Sequence, residues 1–188
     1  MTNIFFSGDH HFFHSNVLRY SNRPYKNVED MEEDYIRKWN KVVDPRDTVY
    51  YLGDFTLDSR PDKIDAILGS LNGEIIFIRG NHDKWLSKLP RLQNRKKIKV
   101  VKDIHEISVS HNGENIKIVM MHYPMRTWNR SHYGSFHLHG HCHGSLNGEN
   151  VHYRRVDVGV DSWDGYPVSL KTVIEHLSHR PFTYHHGD

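Results

Sequence analysis

Cysteine is nearly absent: Cys142 stands alone, which excludes an intramolecular disulfide framework and every cysteine-rich zinc module. A reducing, cytoplasmic setting is the expectation. No apolar stretch approaches the length that spans a bilayer, and Met1-Thr2-Asn3-Ile4 lacks the charged and apolar regions of a secretory leader. No membrane partner is therefore expected. Charge of one sign is also missing: 25 Lys and Arg against 23 Asp and Glu leave a formal +2 with His neutral, too little for a strong polyanion field. No Gly-x-Ser-x-Gly occurs, so a serine-nucleophile elbow is dropped. No repeat, linker or low-complexity tract divides the 188 residues, and a single domain over 1–188 is expected. Histidine is the exception. There are 17, clustered beside glycine and aspartate rather than in a tag, which points to metal chemistry.

Asn3 to Phe6 reads as a strand that runs into Gly8-Asp9-His10-His11. Asp9 and His11 lie two apart, so on an extended segment they face one way and His10 the other. A helix is expected from Val28 to Val43, with Asn27 as N-cap and Val28, Met31, Tyr35, Trp39 and Val42 as a core stripe. Thr48 to Leu52 is a second buried strand, ending in Gly53-Asp54. Pro61 opens a helix with Ile64, Ile67, Leu68 and Leu71 inward. Glu74 to Arg79 is a third strand, ending in Gly80-Asn81-His82-Asp83. Such alternation implies βαβ units whose parallel strands deliver all three polar ends to one edge of a sheet.

Farther along, Arg91 to Lys102 is strongly basic and reads as a solvated face, with a phosphate-rich partner as the competing reading. Ile104 to Ser110 and Ile116 to Met121 flank a turn-rich loop and predict a hairpin that delivers His122. Phe136 to His139 is a short strand entering Gly140-His141-Cys142-His143-Gly144. Val151 to Val160 is expected to be a strand and Ser169 to Leu177 a closing helix. Arg23 and Arg126 lie near these polar segments and suit either a substrate phosphate or local salt bridges.

Collected in order, Asp9-x-His11, Gly53-Asp54, Gly80-Asn81-His82-Asp83, His122 and Gly140-His141-x-His143 resemble the five signature blocks of the calcineurin-like metallophosphoesterases. The resemblance spans nearly the whole chain. It implies an α/β fold, a four-layer α/β/β/α sandwich of two mixed sheets with a dinuclear metal site at the strand C-terminal edge. It assigns Asp9, His11 and His143 to one metal, Asn81, His122 and His141 to the second, and Asp54 as the bridge. Oxygen and nitrogen ligands without thiolate suit two divalent or mixed-valent ions of Mn, Fe, Zn, Ni or Co and do not by themselves choose among them; Mn is the expected choice. The implied reaction is attack on a phosphate ester by a hydroxide held between metals roughly 3.5–4 Å apart. His82 would protonate the leaving alkoxide, and Asp83 would hold the His82 imidazole in its tautomer.

Gly53-Asp54-Phe55-Thr56-Leu57-Asp58-Ser59 lacks the Arg-Gly of the protein phosphatases in that superfamily, and the third block ends in Asp83 where theirs usually ends in Glu. The chain looks more like the short bacterial and phage-type members. Phosphodiesters or phosphomonoesters of small or nucleotide-like molecules are the expected substrates. A metal-dependent nuclease on DNA or RNA competes within enzymes, and a non-enzymatic scaffold on the same fold competes outside them. Cys142, between two ligand positions, is expected to face away from them.

Overall fold

The computed structural model describes residues 2–182. Four short apolar runs, β1 (Ile4–Ser7), β2 (Thr48–Tyr51), β3 (Glu74–Ile78) and β4 (Ile98–Lys102), pair in parallel in the order β4-β3-β2-β1. The second half forms another sheet from β5 (Ile104–His111), β6 (Glu114–Met121), β7 (Phe136–His139) and β8 (Arg155–Asp157). There β5 and β6 are the expected antiparallel hairpin, while β6, β7 and β8 run parallel. A two-residue strand, β9 (Val168–Ser169), closes the first sheet antiparallel to β1.

Two short turns of helix, α1 (Val17–Tyr20) and later α4 (Asn147–Asn150), lie in loops, and three longer helices pack on the sheets. In α2 (Val28–Val42) the Asn27 side chain accepts from the Asp30 N–H at 2.7 Å, and Glu29 and Asp30 sit favourably in the positive first turn. Pro61 starts α3 (Pro61–Ser70), where its missing N–H is harmless. Ser169 caps α5 (Leu170–Leu177) by accepting from Thr172 N–H.

Strand alternation sorts the core into two layers. Val49, Tyr51, Ile75 and Phe77 face Tyr35 and Trp39 of α2 and Ile64 and Leu68 of α3. The opposite faces of the same strands, through Phe6, Tyr50, Leu52 and Ile78, meet Ile118, Met120, Phe136, Leu138 and Val156 of the second sheet, with Val173, Ile174 and Leu177 of α5. The fourth layer, outside the second sheet, is thin and polar. There His137 accepts from the Met125 N–H and stacks near Trp128, while Asn150 of α4 donates to His139 and accepts from Arg155.

One local expectation is corrected: of Val151 to Val160 only Arg155–Asp157 is strand, because residues 151–154 continue the turn after α4, with His152 and Tyr153 N–H bonded back to the Glu149 and Asn150 carbonyls. The basic run is a solvated face as expected, with Arg91, Arg95, Lys96, Lys99 and Lys102 exposed. Within it Gln93–Lys97 is a 3-10 turn, half-buried Lys97 donates to the Gly69 and Leu71 carbonyls, and Ile98–Lys102 is edge strand β4 with Lys99 paired to Glu74.

Candidate metal centre

Both sheets aim their parallel strands' C-terminal ends at one edge. The first sheet brings Asp9, Asp54 and Asn81 there from β1, β2 and β3. The second brings His122 after β6, and His141 and His143 after β7. Backbone bonds from Asp9 N–H to the Gly53 carbonyl (2.9 Å) and from Gly140 N–H to the His122 carbonyl (3.0 Å) lock neighbouring ends together. Side chains must vanish where these ends touch. A Cβ on Gly53, at φ +88°, would lie 2.6 Å from the Gly80 backbone and 2.7 Å from His122 Nδ1, and one on Gly140 would lie 2.5 Å from Asp9 Oδ2.

The backbone there is unusual in a second way. Of ten non-glycine residues with positive φ among the described residues, five are Asp9, His11, Asp54, His141 and His143, at φ from 48° to 69°. The left-handed region costs an L-residue roughly 1–2 kcal/mol, so strain is concentrated in the polar ends. It also corrects the geometry expected of Asp9 and His11. They do face one site, but through alternating left-handed turns rather than an extended strand. His10 points away as expected, fully buried, its Nδ1 3.0 Å from the Tyr51 hydroxyl and its ring stacked on Phe12.

Two clusters of ligating atoms result, Asp9–His11–His143 and Asp54–His122–His141, with the atoms of each within 4.8 Å of one another. His11 Nε2 lies 3.7 Å from Asp54 Oδ2, so the clusters adjoin through Asp54. Asn81 Oδ1 is 3.0 Å from His122 Nε2, which puts it with the second cluster. The donor set fits cations. His11 Nε2 and His143 Nε2 face each other at 3.3 Å, and burial holds His11 neutral by pulling its pKa down to about 3. With Asp9 beside them, the two Nε2 atoms converge on one point, as ligands of a shared cation would. Asp9 Oδ1 is buried with no hydrogen-bond partner, and burial lifts the Asp9 pKa to about 7. His122 answers the same field: burial opposes its charge, but the Asp54 carboxylate and Asp9 outweigh it and raise the pKa to about 9. Asp54 itself is kept low, to about 2, where burial is outweighed by His122 and by the His82 N–H it accepts at 2.9 Å.

Groups behind the ligands fix their tautomers. His122 Nδ1–H donates to the Leu52 carbonyl at 2.7 Å, presenting Nε2 to the site. His143 Nδ1–H donates to Asp161 Oδ2 at 2.6 Å, again presenting Nε2. Asp161 is the functional residue that sequence reasoning missed. Its carboxylate also takes both the Nε and Nη2 of Arg23 at 2.8 Å, and Arg23 donates onward to the carbonyls of Asp9 and His10. Arg23 is thus a buried brace and not a phosphate ligand.

Asp83 is the second correction. Its carboxylate does not reach the His82 ring. Oδ2 accepts from the N–H of Asp54 and Gly80, and Oδ1 from Phe55 N–H and Trp85 Nε1–H, all at 2.7–2.9 Å. Burial pushes its pKa up while those four donors pull against it. Asp83 organises the backbone that carries Asp54 and Asn81. His82 is exposed at the mouth, Nε2 3.9 Å from Asp54 Oδ2, its ring edge-on to His11 at 5.6 Å. Cys142 takes no part in either cluster, and burial raises its pKa to about 11. His137 and His139 serve the polar outer layer described above. Of the remaining histidines, His185 and His186 lie outside the described residues.

Two mixed sheets with two adjoining oxygen–nitrogen ligand clusters at their shared edge make a site suited to a pair of cations. The comparisons agree: the calcineurin-like phosphoesterase family profile matches residues 2–188, and the chain belongs to that family. It is 34% identical over 180 residues to an uncharacterized protein of Methanocaldococcus jannaschii, covering 93% of this chain and 91% of that one. The gene 66 protein of Mycobacterium phage L5 is 25% identical over 205 residues, with 95% and 96% covered. Among solved structures, a protein of unknown function from Aquifex aeolicus shares the fold with a TM-score of 0.71 at 23% identity, over 93% of this chain and 99% of that one. No described helix is long and apolar enough to cross a membrane.

Proposed function

We propose that the chain hydrolyses phosphate monoesters or diesters of small, nucleotide-like molecules, using two metal ions and His82 as general acid. The pair of facing Nε2 atoms on His11 and His143, set beside buried carboxylates, carries the reading. Asp9, His11 and His143 would hold one ion, Asn81, His122 and His141 the other, and Asp54 would serve both; Mn²⁺ is the favoured choice. When bound, such ions supply Lewis acidity toward phosphoryl oxygens and acidify water at neutral pH.

The chain's own residues do the rest. His122 and His143 are held with Nε2 toward the site by Leu52 and Asp161. Backbone donation from His82 N–H to Asp54 Oδ1 ties the proton donor's loop to the shared carboxylate. The His82 ring is 44% exposed with Nε2 3.9 Å from Asp54 Oδ2, which supports its role as the proton donor to the leaving oxygen. With Asp83 engaged elsewhere, the rotamer of His82 is set by its backbone and by the His11 ring.

Hydrolysis of an aryl and an alkyl phosphate, each as monoester and diester, tests this with metal content counted by mass spectrometry. Asp54→Ala should lose metal and rate together. His82→Ala should keep metal and lose on the order of 10²–10⁴-fold on the alkyl ester, but far less on the aryl ester, whose phenolate leaves without a proton. Equal losses on both esters would remove His82 from the acid role.

A further inference from the structure

Beside the metal centre, on the Asn81 flank, lies a cleft of about 450 Å³ lined by Arg79, Gly80, Asn81, Lys84, Leu86 and Ser87. It is continuous with the site, because Asn81 belongs to both. Two cations enter it. Arg79, the last residue before Gly80, is half exposed and makes only a loose pair with Asp103 at 3.6 Å, itself 74% exposed. Exposed pairs of this kind are worth little and exchange readily. Lys84 is exposed at the start of the 3-10 turn that follows His82, its backbone tied to the His82 carbonyl at 2.9 Å. Half-buried Leu86, packed against the α2/α3 core, supplies an apolar floor. Asp83 also lines the cleft, but its carboxylate is consumed by four N–H donors, so it offers no free negative oxygen to a ligand.

The basic run that stands out in the sequence does not supply this surface. Lys97 and Lys99 are engaged on the first sheet's periphery and Arg95 on the Pro90 carbonyl. The charge lining the cleft comes instead from Arg79 and Lys84, which flank Gly80-Asn81-His82-Asp83 in sequence.

Building on the phosphoesterase reading, we propose that this cleft is a subsite for a second phosphate of the substrate, gripped by Arg79 and Lys84 while the scissile phosphate lies at the metals. Guanidinium and ammonium donors make charge-assisted bonds to phosphate oxygens, and Leu86 offers an apolar surface for the sugar. The favoured substrates are therefore nucleotides with at least two phosphate groups. The second phosphate has two sources, a small bisphosphate or the next link of a nucleic-acid strand.

Calorimetric titration separates the subsite from turnover. Wild type and the Arg79→Gln/Lys84→Gln double variant, both in a His82→Ala background that keeps metal but slows turnover of alkyl esters, would be loaded with Mn²⁺ and titrated with adenosine 5′-monophosphate, adenosine 3′,5′-bisphosphate and a short single-stranded DNA. Wild type should bind the bisphosphate about tenfold tighter than the monophosphate, and the double variant should lose that advantage while binding the monophosphate as before. Loss confined to the DNA arm, with a shallower salt dependence, assigns the second phosphate to a strand. If both arms bind equally in wild type and variant, the subsite is refuted, whatever the hydrolysis assays show. Failure of wild type to cleave any ester would instead overturn the phosphoesterase reading, and the titration would still decide the cleft.

Discussion

Replacing Asp83 with Asn tests whether this residue is scaffold or catalyst. The side chain is 3% exposed and accepts four N–H donors, two on each oxygen. An amide fits the same space but presents an NH₂ group to one of those pairs. Two charge-assisted bonds are lost and two buried donors face another donor, each costing about 1–3 kcal/mol. With the remaining bonds weakened to neutral ones, the expected loss is about 3–5 kcal/mol. For a chain of this size that lowers the melting temperature by roughly 6–20 °C. Because Asp54 N–H and Gly80 N–H are among the four, metal affinity should also fall, by about 10–100-fold. Urea and thermal melts with and without Mn²⁺, together with metal titrations, read all three effects. The reasoning is refuted if Asp83→Asn melts within ~2 °C of wild type and holds metal equally well, yet loses rate only on esters with alkyl leaving groups. That pattern would return Asp83 to His82.

Three further outcomes follow from the geometry. At His143, φ 48°, glycine should give a more stable protein than alanine by about 1 kcal/mol, the reverse of their ordinary order, as read by urea midpoints without added metal. Metal uptake should release protons, since His122 is lifted to about 9 and Asp9 to about 7. Calorimetry in buffers of different ionisation enthalpy should show release near pH 7, with affinity rising toward pH 9; buffer-independent heats would contradict it. His137 accepts from Met125 N–H and donates to the Val119 carbonyl, and burial holds its pKa down to about 3. The unfolded chain therefore takes up the proton first. Stability present above about pH 6.5 should be lost as pH falls toward 3, by about 1.4 kcal/mol per pH unit for this group. His137→Gln should flatten that part of the urea-midpoint profile, and an unchanged slope would count against it.

The strands that end in ligands were legible because each is an apolar run stopped by Gly-Asp, Gly-Asn or a polar histidine segment, a pattern that one sheet edge explains. Asn27 and Pro61 marked helix starts by their chemistry alone. What escaped was either very short or distant. Strand β9 has two residues, too few for any periodicity. In β4 the lysines at the edge masked the alternation of a real strand. Asp161 meets His143 and Arg23 across 18 and 138 residues, and no local spacing announces such a contact. Asp83 misled because adjacency to His82 in sequence suggested adjacency in space, whereas the turn at Gly80 carries the two side chains apart.

The Arg23–Asp161 brace also bears on when the ligand set can be complete during synthesis. Asp9, His11, Asp54 and Asn81 leave the ribosome early, but His143 and the carboxylate that orients it follow much later. Until residue 161 emerges, Arg23 lacks its carboxylate partner and the Asp9 and His10 carbonyls lose the guanidinium that the partner positions. The full set of ligand positions, with His143 held by Asp161 and Asp161 by Arg23, therefore exists only once the second sheet has docked on the first.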